Sequence, residues 1–358
     1  MNAGSTARAL PVADGPASVD WNVAALTASR LVRPGPAVPL AEAETTVNQL
    51  RALAGRAEGH VRELTGMGDG LPLLPAEVVD RPGWVRGAAE GLAVLTGGGF
   101  PPLGPGRLPA LLSGTAGVQA GVVLAYLASR VLGQYDPFGG PDGGGRLLLV
   151  APNVVSAQRA LDVPPEDFRM WVCLHEATHR LQFTAVPWLR AHFAAEVGRL
   201  LEHLDDTAAG VVSRLPDALR EMLRRDRAGG PPVALVELLQ GPDQRAVLDR
   251  LIALSTLLEG HADHVMDAVG PTVVPTVATI RARFTARRRG GGLADRVLRA
   301  LLGVDAKVRQ YAQGAEFTRQ VVDAVGMTGF NAVWHSRETL PTRAEIAEPR
   351  AWVRRVHG

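Results

Sequence analysis

Helical spacing of apolar residues is the feature that most constrains the fold of this chain. In "AETTVNQLRALAGRAEGHVRELTGM", and again over residues 247–269, apolar side chains recur every three to four positions, which is the period of an amphipathic helix. The best strand candidate is "RLLLVAPN" (Arg146 to Asn153), a short apolar run bounded by turn residues. The sequence therefore predicts a mainly α-helical fold with a small β element.

One predicted helix carries the most chemically specific motif, His-Glu-Ala-Thr-His. Prolines at 164 and 165, followed by two acidic residues, are typical of a helix start and precede "FRMWVCLHEATHRLQF". Positions four apart share a helix face, so His175 and His179 can bind one metal ion, and Glu176 on the adjoining face can reach a water molecule there. Zinc lowers the pKa of water toward neutrality, and a carboxylate can move the released proton. The alternative is that two ordinary helix histidines pair with Glu176 or other neighbours.

The third metal ligand has to come from a distant segment. Metzincins continue the motif with a glycine and a histidine, but this chain has Gln182 and Ala185 at those positions. Another dense cluster of ligand residue types is "TLLEGHADHVMDAVG", Thr256 to Gly270, on a strongly periodic predicted helix that Gly270-Pro271 ends.

Two carboxylates of this second helix share one face, because they are four residues apart. Glu259 is predicted to complete a His-His-Glu zinc site, and Asp263 to accept the free ring N–H of a metal-bound histidine. His264 is rotated away from that face, but a His-His-His site that includes it is an alternative. A second alternative is that Glu259 forms a buried salt bridge with an arginine instead of binding a metal. Gly260 is unfavourable inside a helix, which indicates that another backbone approaches closely there.

Composition argues against several classes of partner. The chain has 358 residues, a hydrophobic share of 46%, a charged share of 21% and a net charge of only +2, so it is a globular protein without the basic field of a nucleic-acid-binding protein. The longest uncharged run, Leu108 to Ser129, contains a proline and glycines, and its continuous apolar part is too short for a membrane span; it is predicted to be a buried helix. Cys173 is the single cysteine and forms no internal disulfide. A cytoplasmic protein without membrane or nucleic-acid partners is predicted.

The chain is predicted to form one folded domain behind a short tail. Residues 1–18 are small, polar and aperiodic, as expected of a disordered segment. Residues 19–358 then form a single domain, with a helical N-terminal part at 19–135 and a part at 145–358 that carries the metal ligands. The two parts are joined by "GQYDPFGGPDGGG", which is read as a Gly/Pro-rich connection.

The pattern His175-Glu176-x-x-His179 with Glu259-x-x-x-Asp263 resembles the glutamate-zincins, the thermolysin-like arrangement. More specifically, the chain resembles a family of bacterial zincin-like hydrolases that is frequent in actinobacteria, with some members assigned to deazaflavin-coenzyme biosynthesis. The resembling segments span most of Asp20 to Val356: "DWNVA", "VVDRPGWV", "ASRVLGQYDPF", "LLLVAPN", "FRMWVCLHEATHRLQF", "LEGHADHVMDAVG", "KVRQYAQGAEF" and "VWHSRETLPTRAEIAEPRAWVRRV". The resemblance implies a mostly helical zincin-like fold, bound Zn²⁺ and a metallopeptidase activity. His261 stands where this family is expected to have an aromatic residue such as tyrosine.

Other residues have weaker functional signals. Tyr311 could donate a hydrogen bond to the oxyanion formed as water attacks, although a tyrosine packed on the core is an equal alternative; His335 is a lesser candidate for the same role. The basic run Arg281 to Arg289 could bind an acidic group but is more typical of a solvated helix end.

The leading hypothesis is a zinc metallopeptidase that acts on a peptide or protein. His175, His179 and Glu259 would bind the metal, and Glu176 would act as the general base. Two alternatives remain open: a catalytically silent zincin-fold binding or regulatory protein, and a metal-dependent hydrolase of a non-peptide amide.

Overall fold

The structure, a computed structural model, describes residues 19–97, 113–140, 143–205, 242–289 and 304–358. The predicted disordered tail, residues 1–18, lies outside these ranges. The described strands are β1 (Ala76–Val79), β2 (Gly133–Asp136) and β3 (Arg146–Val150). The described helices are α1 (Trp21–Leu31), α2 (Leu40–Thr65), α3 (Arg81–Leu95), α4 (Ser113–Ala128), α5 (Ala151–Leu161), α6 (Pro165–Thr184), α7 (Leu189–Asp205), α8 (Pro242–Ala268), α9 (Gly270–Val273), α10 (Val277–Arg289), α11 (Val304–Phe330), α12 (Arg343–Ala347) and α13 (Pro349–His357), with short 3₁₀ turns at Asn331–Trp334 and Arg337–Thr339. The predicted mainly α-helical class is confirmed.

The three strands of the described sheet lie in the order β1-β3-β2. β1 pairs with β3 in parallel, and β2 pairs with β3 in antiparallel orientation. The predicted strand from Arg146 to Asn153 is too long, because a helix with a proline in its first turn begins at Ala151. β2 lies inside the segment predicted to be a connection, so that prediction is wrong for its first four residues.

The central strand is covered on both faces, because successive side chains of a strand point to opposite sides. Leu147 and Leu149 belong to a large core formed mainly with α2, α6, α8 and α11. Leu148 and Val150 belong to a smaller core formed with α1, α3 and α4. The sheet therefore separates two apolar clusters, and α6 lies entirely on the side of the larger one.

In its described part, the longest uncharged run forms α4 (Ser113–Ala128), so the predicted helix is confirmed there, but it is buried on one face only. Ala116, Leu124 and Ala128 are buried, whereas Val118 and Val122 are 43% and 51% exposed. Among the helices of the described ranges, none combines the length and hydropathy that a membrane crossing would need.

A buried ion pair holds α6 against α2. One guanidinium nitrogen of Arg180 lies 2.8 Å from Glu58 Oε2, and both side chains are at most 3% exposed. Glu58 Oε1 also accepts from Arg62 at 2.6 Å, and Arg180 donates to the carbonyls of Leu74 and Pro75. Because a buried charge is costly unless it is paired and hydrogen-bonded, this network fixes α6 beside α2 and the segment before β1.

The close backbone approach predicted at Gly260 is confirmed. A Cβ atom placed on Gly260 would lie 2.1 Å from the carbonyl carbon of Gly314 in α11, and a Cβ on Gly314 would lie 2.1 Å from the carbonyl oxygen of Thr256. α8 and α11 thus cross with their backbones in contact, which only glycine permits at these two positions.

We expect Gly260→Ala to destabilise the protein by about 3 kcal/mol or more, because the added methyl group meets backbone that cannot rotate away. Gly59→Ala is the matched control: Gly59 is also inside a helix, but a Cβ there meets nothing within 4 Å. This control should raise the free energy of unfolding by about 0.5–1 kcal/mol through helix propensity. Urea unfolding of both variants measures the difference, and equal effects would contradict the glycine contact.

Candidate metal centre

Three potential metal ligands converge between α6 and α8. His175 Nε2 and His179 Nε2 lie 3.2 Å apart, and Glu259 Oε2 lies 3.6 Å from the first nitrogen and 3.9 Å from the second. Ligand atoms of all three residues lie within 4.8 Å of one another. The i,i+4 spacing places the two histidines on one face of α6, and the packing of α8 brings the carboxylate opposite them.

The geometry of this group fits zinc. Two nitrogen ligands of a tetrahedral zinc, each about 2.0–2.1 Å from the metal, are about 3.3 Å apart, close to the 3.2 Å between the histidine nitrogens. Two histidine nitrogens and one carboxylate oxygen are also a donor set that catalytic zinc sites use, with a fourth position left for water or substrate. The residues present therefore fit the metal that the motif implies.

Glu176 lies beside this group in a buried position. Its side chain is pressed against β2, where a Cβ on Gly133 would lie only 2.7 Å from Glu176 Cγ. The pKa of Glu176 is raised from its ordinary 4.5 to about 8, first by burial and then by the Glu259 carboxylate, while a hydrogen bond from the Tyr135 backbone N–H lowers it. A carboxyl group held in this way next to a metal site is placed to accept and return a proton.

The edge of β2 faces the site. Val150 N–H donates to Leu132 O at 2.9 Å, and backbone groups of an antiparallel strand alternate in direction. The N–H and C=O groups of Gly133 and Tyr135 therefore point away from β3, which is consistent with the Tyr135 N–H reaching Glu176. Among the described strands, β2 has no partner on this side.

A cleft of about 350 Å³ opens onto the ligand residues, Glu176 and β2. Its lining also has an apolar part, which includes Leu92 and Leu95 of α3 together with Phe138, Phe183 and Phe193. The three phenylalanine rings form a continuous surface, since the centroid of Phe193 lies 6.2 Å from each of the other two. The cleft can therefore hold an apolar group next to the metal ligands.

Asp263 has a different partner from the predicted one. Its Oδ1 accepts from the Arg281 guanidinium at 2.9 Å, and Arg281 also pairs with Asp267 at 2.9 Å. The prediction that Asp263 orients a metal-bound histidine is corrected accordingly. The physical reason is that the guanidinium of Arg281, from α10, reaches α8 and pairs with the Asp263 carboxylate.

Position distinguishes Glu259 from His264, the two candidates for the third ligand. Glu259, not His264, completes the group of converging ligand atoms in the described residues. His264 is half-buried, and the electrostatic effects on it come from Asp267, Asp323 and Arg319. The two residues are five apart on α8, so they point in different directions.

The remaining predicted residues lie away from the ligands or outside the description. The side chain of Tyr311 is outside the described residues, and His335 is exposed after a 3₁₀ turn. In the basic run, Arg281 pairs with the acidic residues of α8, and Arg283 donates to the carbonyl of Leu161 at 2.9 Å. Cys173 is fully buried, and burial raises the pKa of its thiol.

Gln182 is a site residue that the sequence interpretation missed. Its Oε1 lies 2.9 Å from His179 Nδ1. Gln182 thus has the position predicted for Asp263, as the hydrogen-bond partner of a histidine in the candidate metal site. The corresponding atom of the other histidine, His175 Nδ1, contacts the sulfur of Met266 at 3.3 Å. The i,i+3 spacing of His179 and Gln182 places both on one stripe of α6 and is a usable signal, but no role was predicted for Gln182.

The chain belongs to the zincin-like metallopeptidase family, whose model matches residues 19–353. It is also similar to an inferred hydrolase with a novel fold from Chloroflexus aurantiacus, known from a crystal structure. The two chains are 31% identical, with a TM-score of 0.65, and the match covers 94% of this chain and 98% of that chain. No functionally curated protein matches.

The family confirms the zincin-like fold predicted from the sequence, supports a hydrolase and implies a metal ion, typically zinc. Among the described residues, His175, His179 and Glu259 form a group that could hold such an ion. The predicted links to actinobacteria and to deazaflavin coenzymes stay predictions.

We expect Glu259→Ala to weaken zinc binding by at least about 100-fold, because loss of a residue that only supports a ligand already costs about 10–100-fold. His264→Ala is the control and should leave the affinity within a factor of about three. Competition with a chelating dye measures both constants. If His264→Ala lowered the zinc affinity as much as Glu259→Ala, the result would favour the His-His-His site instead.

Proposed function

We propose that this protein is a zinc-dependent peptidase that hydrolyses a peptide bond, with Glu176 as the general base. The observation that carries the proposal is the convergence of His175, His179 and Glu259 beside a buried carboxyl group in an open cleft. A protein that only bound a metal for stability would need the three ligands but neither the cleft nor Glu176.

The chain's residues divide the work of hydrolysis. Zinc, when bound, would act as a Lewis acid that polarises the substrate carbonyl and lowers the pKa of water. Glu176 takes the proton from the attacking water and returns it to the leaving amine, so that the products are a carboxylate and an amine. The hydrogen bond from the Tyr135 backbone N–H and the contact with Gly133 hold the carboxyl group for both transfers.

The edge of β2 supports a peptide as the substrate. An extended peptide can add to an exposed strand edge through main-chain hydrogen bonds, and the outward C=O groups of Gly133 and Tyr135 lie beside Glu176. The phenylalanine surface next to the edge suits an apolar side chain of such a peptide. A non-peptide amide would use the same catalytic groups without needing the strand edge.

Glu176→Gln should keep zinc affinity within a few-fold and lower the rate of peptide cleavage by about 100- to 10,000-fold, the usual contribution of general acid–base catalysis. Cleavage of a peptide library and zinc content are measured on the same preparations. Removing zinc from the wild type with a chelator should abolish cleavage, and adding zinc should restore it.

Two results would turn the interpretation toward the alternatives. A wild-type protein that binds zinc but cleaves neither peptides nor non-peptide amides would favour the silent binding protein. Cleavage of small non-peptide amides, with peptides left uncleaved, would favour the metal-dependent hydrolase of a non-peptide amide.

Gly133→Ala should lower the cleavage rate at least about tenfold with zinc affinity retained, because the new methyl group would lie 2.7 Å from Glu176 Cγ and displace the base. Gly198→Ala in α7 is the control, since a Cβ there meets nothing within 4 Å. Steady-state kinetics on one peptide substrate measures both variants. Unchanged kinetics in Gly133→Ala would contradict the positioning of Glu176 by β2.

A further inference from the structure

Gln182 is a fully buried polar side chain in contact with polar groups from two helices. It has no exposed surface. Its Oε1 lies 2.9 Å from His179 Nδ1, and its Nε2 lies 2.9 Å from Leu258 O and 3.1 Å from His261 Nδ1. The side chain therefore links the metal-ligand helix α6 to the backbone of α8, one residue before Glu259.

The carbonyl of Leu258 determines which way the amide of Gln182 points. A carbonyl oxygen only accepts hydrogen bonds, so the NH₂ group of Gln182 has to face Leu258 O, and the amide oxygen then faces His179. The reversed amide would instead place its own oxygen 2.9 Å from the carbonyl oxygen of Leu258, and two acceptors cannot form a hydrogen bond with each other.

This orientation fixes the tautomer of His179. The amide oxygen of Gln182 accepts, so Nδ1 of His179 has to carry the proton and donate it. In the neutral ring, Nε2 is then unprotonated, and its lone pair is directed at His175 and Glu259, 3.2 Å and 3.9 Å away. A histidine can bind a metal only through an unprotonated nitrogen.

His261 secures the other end of the amide. Its Nδ1 accepts from Gln182 Nε2 at 3.1 Å, so the second NH₂ hydrogen is used and the proton of this buried ring lies on Nε2. The ring is also held by Phe330 and Trp334, whose centroids lie 5.1 Å and 5.6 Å away. With both of its hydrogens engaged, the amide of Gln182 cannot turn over without breaking contacts to α8.

We propose that Gln182 is a positioning residue that holds His179 in the Nδ1–H tautomer and so presents its Nε2 lone pair to the metal. The inference rests on the proposed function only in taking His179 as a zinc ligand. It assigns to an amide on the same helix, anchored by the carbonyl of Leu258, the role that a carboxylate was expected to have.

The test uses Gln182→Met, which keeps the length of the side chain and removes the amide. Zinc affinity should fall about 10- to 100-fold, as for other residues that orient a metal-bound histidine. In the metal-free protein, the ¹⁵N signals of the His179 ring should change from a single Nδ1–H tautomer to a mixture. Gln158→Met, at a glutamine of α5 that is only 5% exposed, is the control and should change neither quantity.

Gln182→Glu separates the hydrogen bond to His179 from the packing. A carboxylate can still accept from His179 Nδ1 but cannot donate to Leu258 O or His261 Nδ1. This variant should keep the Nδ1–H tautomer and most of the zinc affinity, while its thermal stability falls.

The proposal is overturned if the metal-free wild type shows the Nε2–H tautomer at His179, or if Gln182→Met binds zinc as tightly as the wild type. These outcomes are distinguishable from failure of the proposed function. A protein that showed the Nδ1–H tautomer and lost it in Gln182→Met, yet cleaved no peptide, would support the positioning role and contradict the peptidase.

Discussion

The contact on which the site depends is the crossing of α8 and α11 at Gly260 and Gly314. A helix pair that meets backbone to backbone has little freedom to rotate or slide, because the nearest atoms are not flexible side chains. Glu259 precedes Gly260 in the sequence, so the crossing fixes the direction in which its carboxylate leaves α8. On the opposite side of the site, the buried ion pair of Arg180 with Glu58 limits α6 in the same way. The helix that carries the two histidines and the helix that carries Glu259 are thus each held by a constraint of their own, and Gln182 links the two.

Two polar side chains of the site are anchored to backbone atoms. Gln182 binds the carbonyl of Leu258, and Glu176 accepts from the amide of Tyr135. Main-chain groups within a helix or a paired strand move little, so side chains that bind them have few alternative positions. If the proposed hydrolysis takes place here, a site built in this way would need little rearrangement as charge develops. β2 and α8 contribute to the site through these backbone groups.

The sequence predicted the parts of the site that depend on helical spacing. The four-residue spacing of His175 and His179, and the position of Glu259 on a second periodic helix, were sufficient to assemble the ligand set. The same spacing did not predict the partner of Asp263, because spacing defines the face of a helix but not which side chain contacts that face. Here the contact comes from Arg281 of α10. β2 was missed because a strand of four residues begins with glycine and precedes a run of glycine and proline. Gln182 was missed because its role depends on a carbonyl of α8, a contact that no pattern within α6 reveals.

An open strand edge has a further consequence for how copies of this chain behave when they are concentrated. Unpaired N–H and C=O groups on an edge can pair with the edge of another chain, and this is a common route to aggregation. Here the edge is four residues long, one of its outward N–H groups is bound by Glu176, and it lies within a cleft beside α3. A single extended peptide is slender enough to reach such an edge, whereas a strand that already belongs to a folded sheet is not. The shape of the cleft therefore disfavours pairing of this edge of β2 with the sheet of another folded copy.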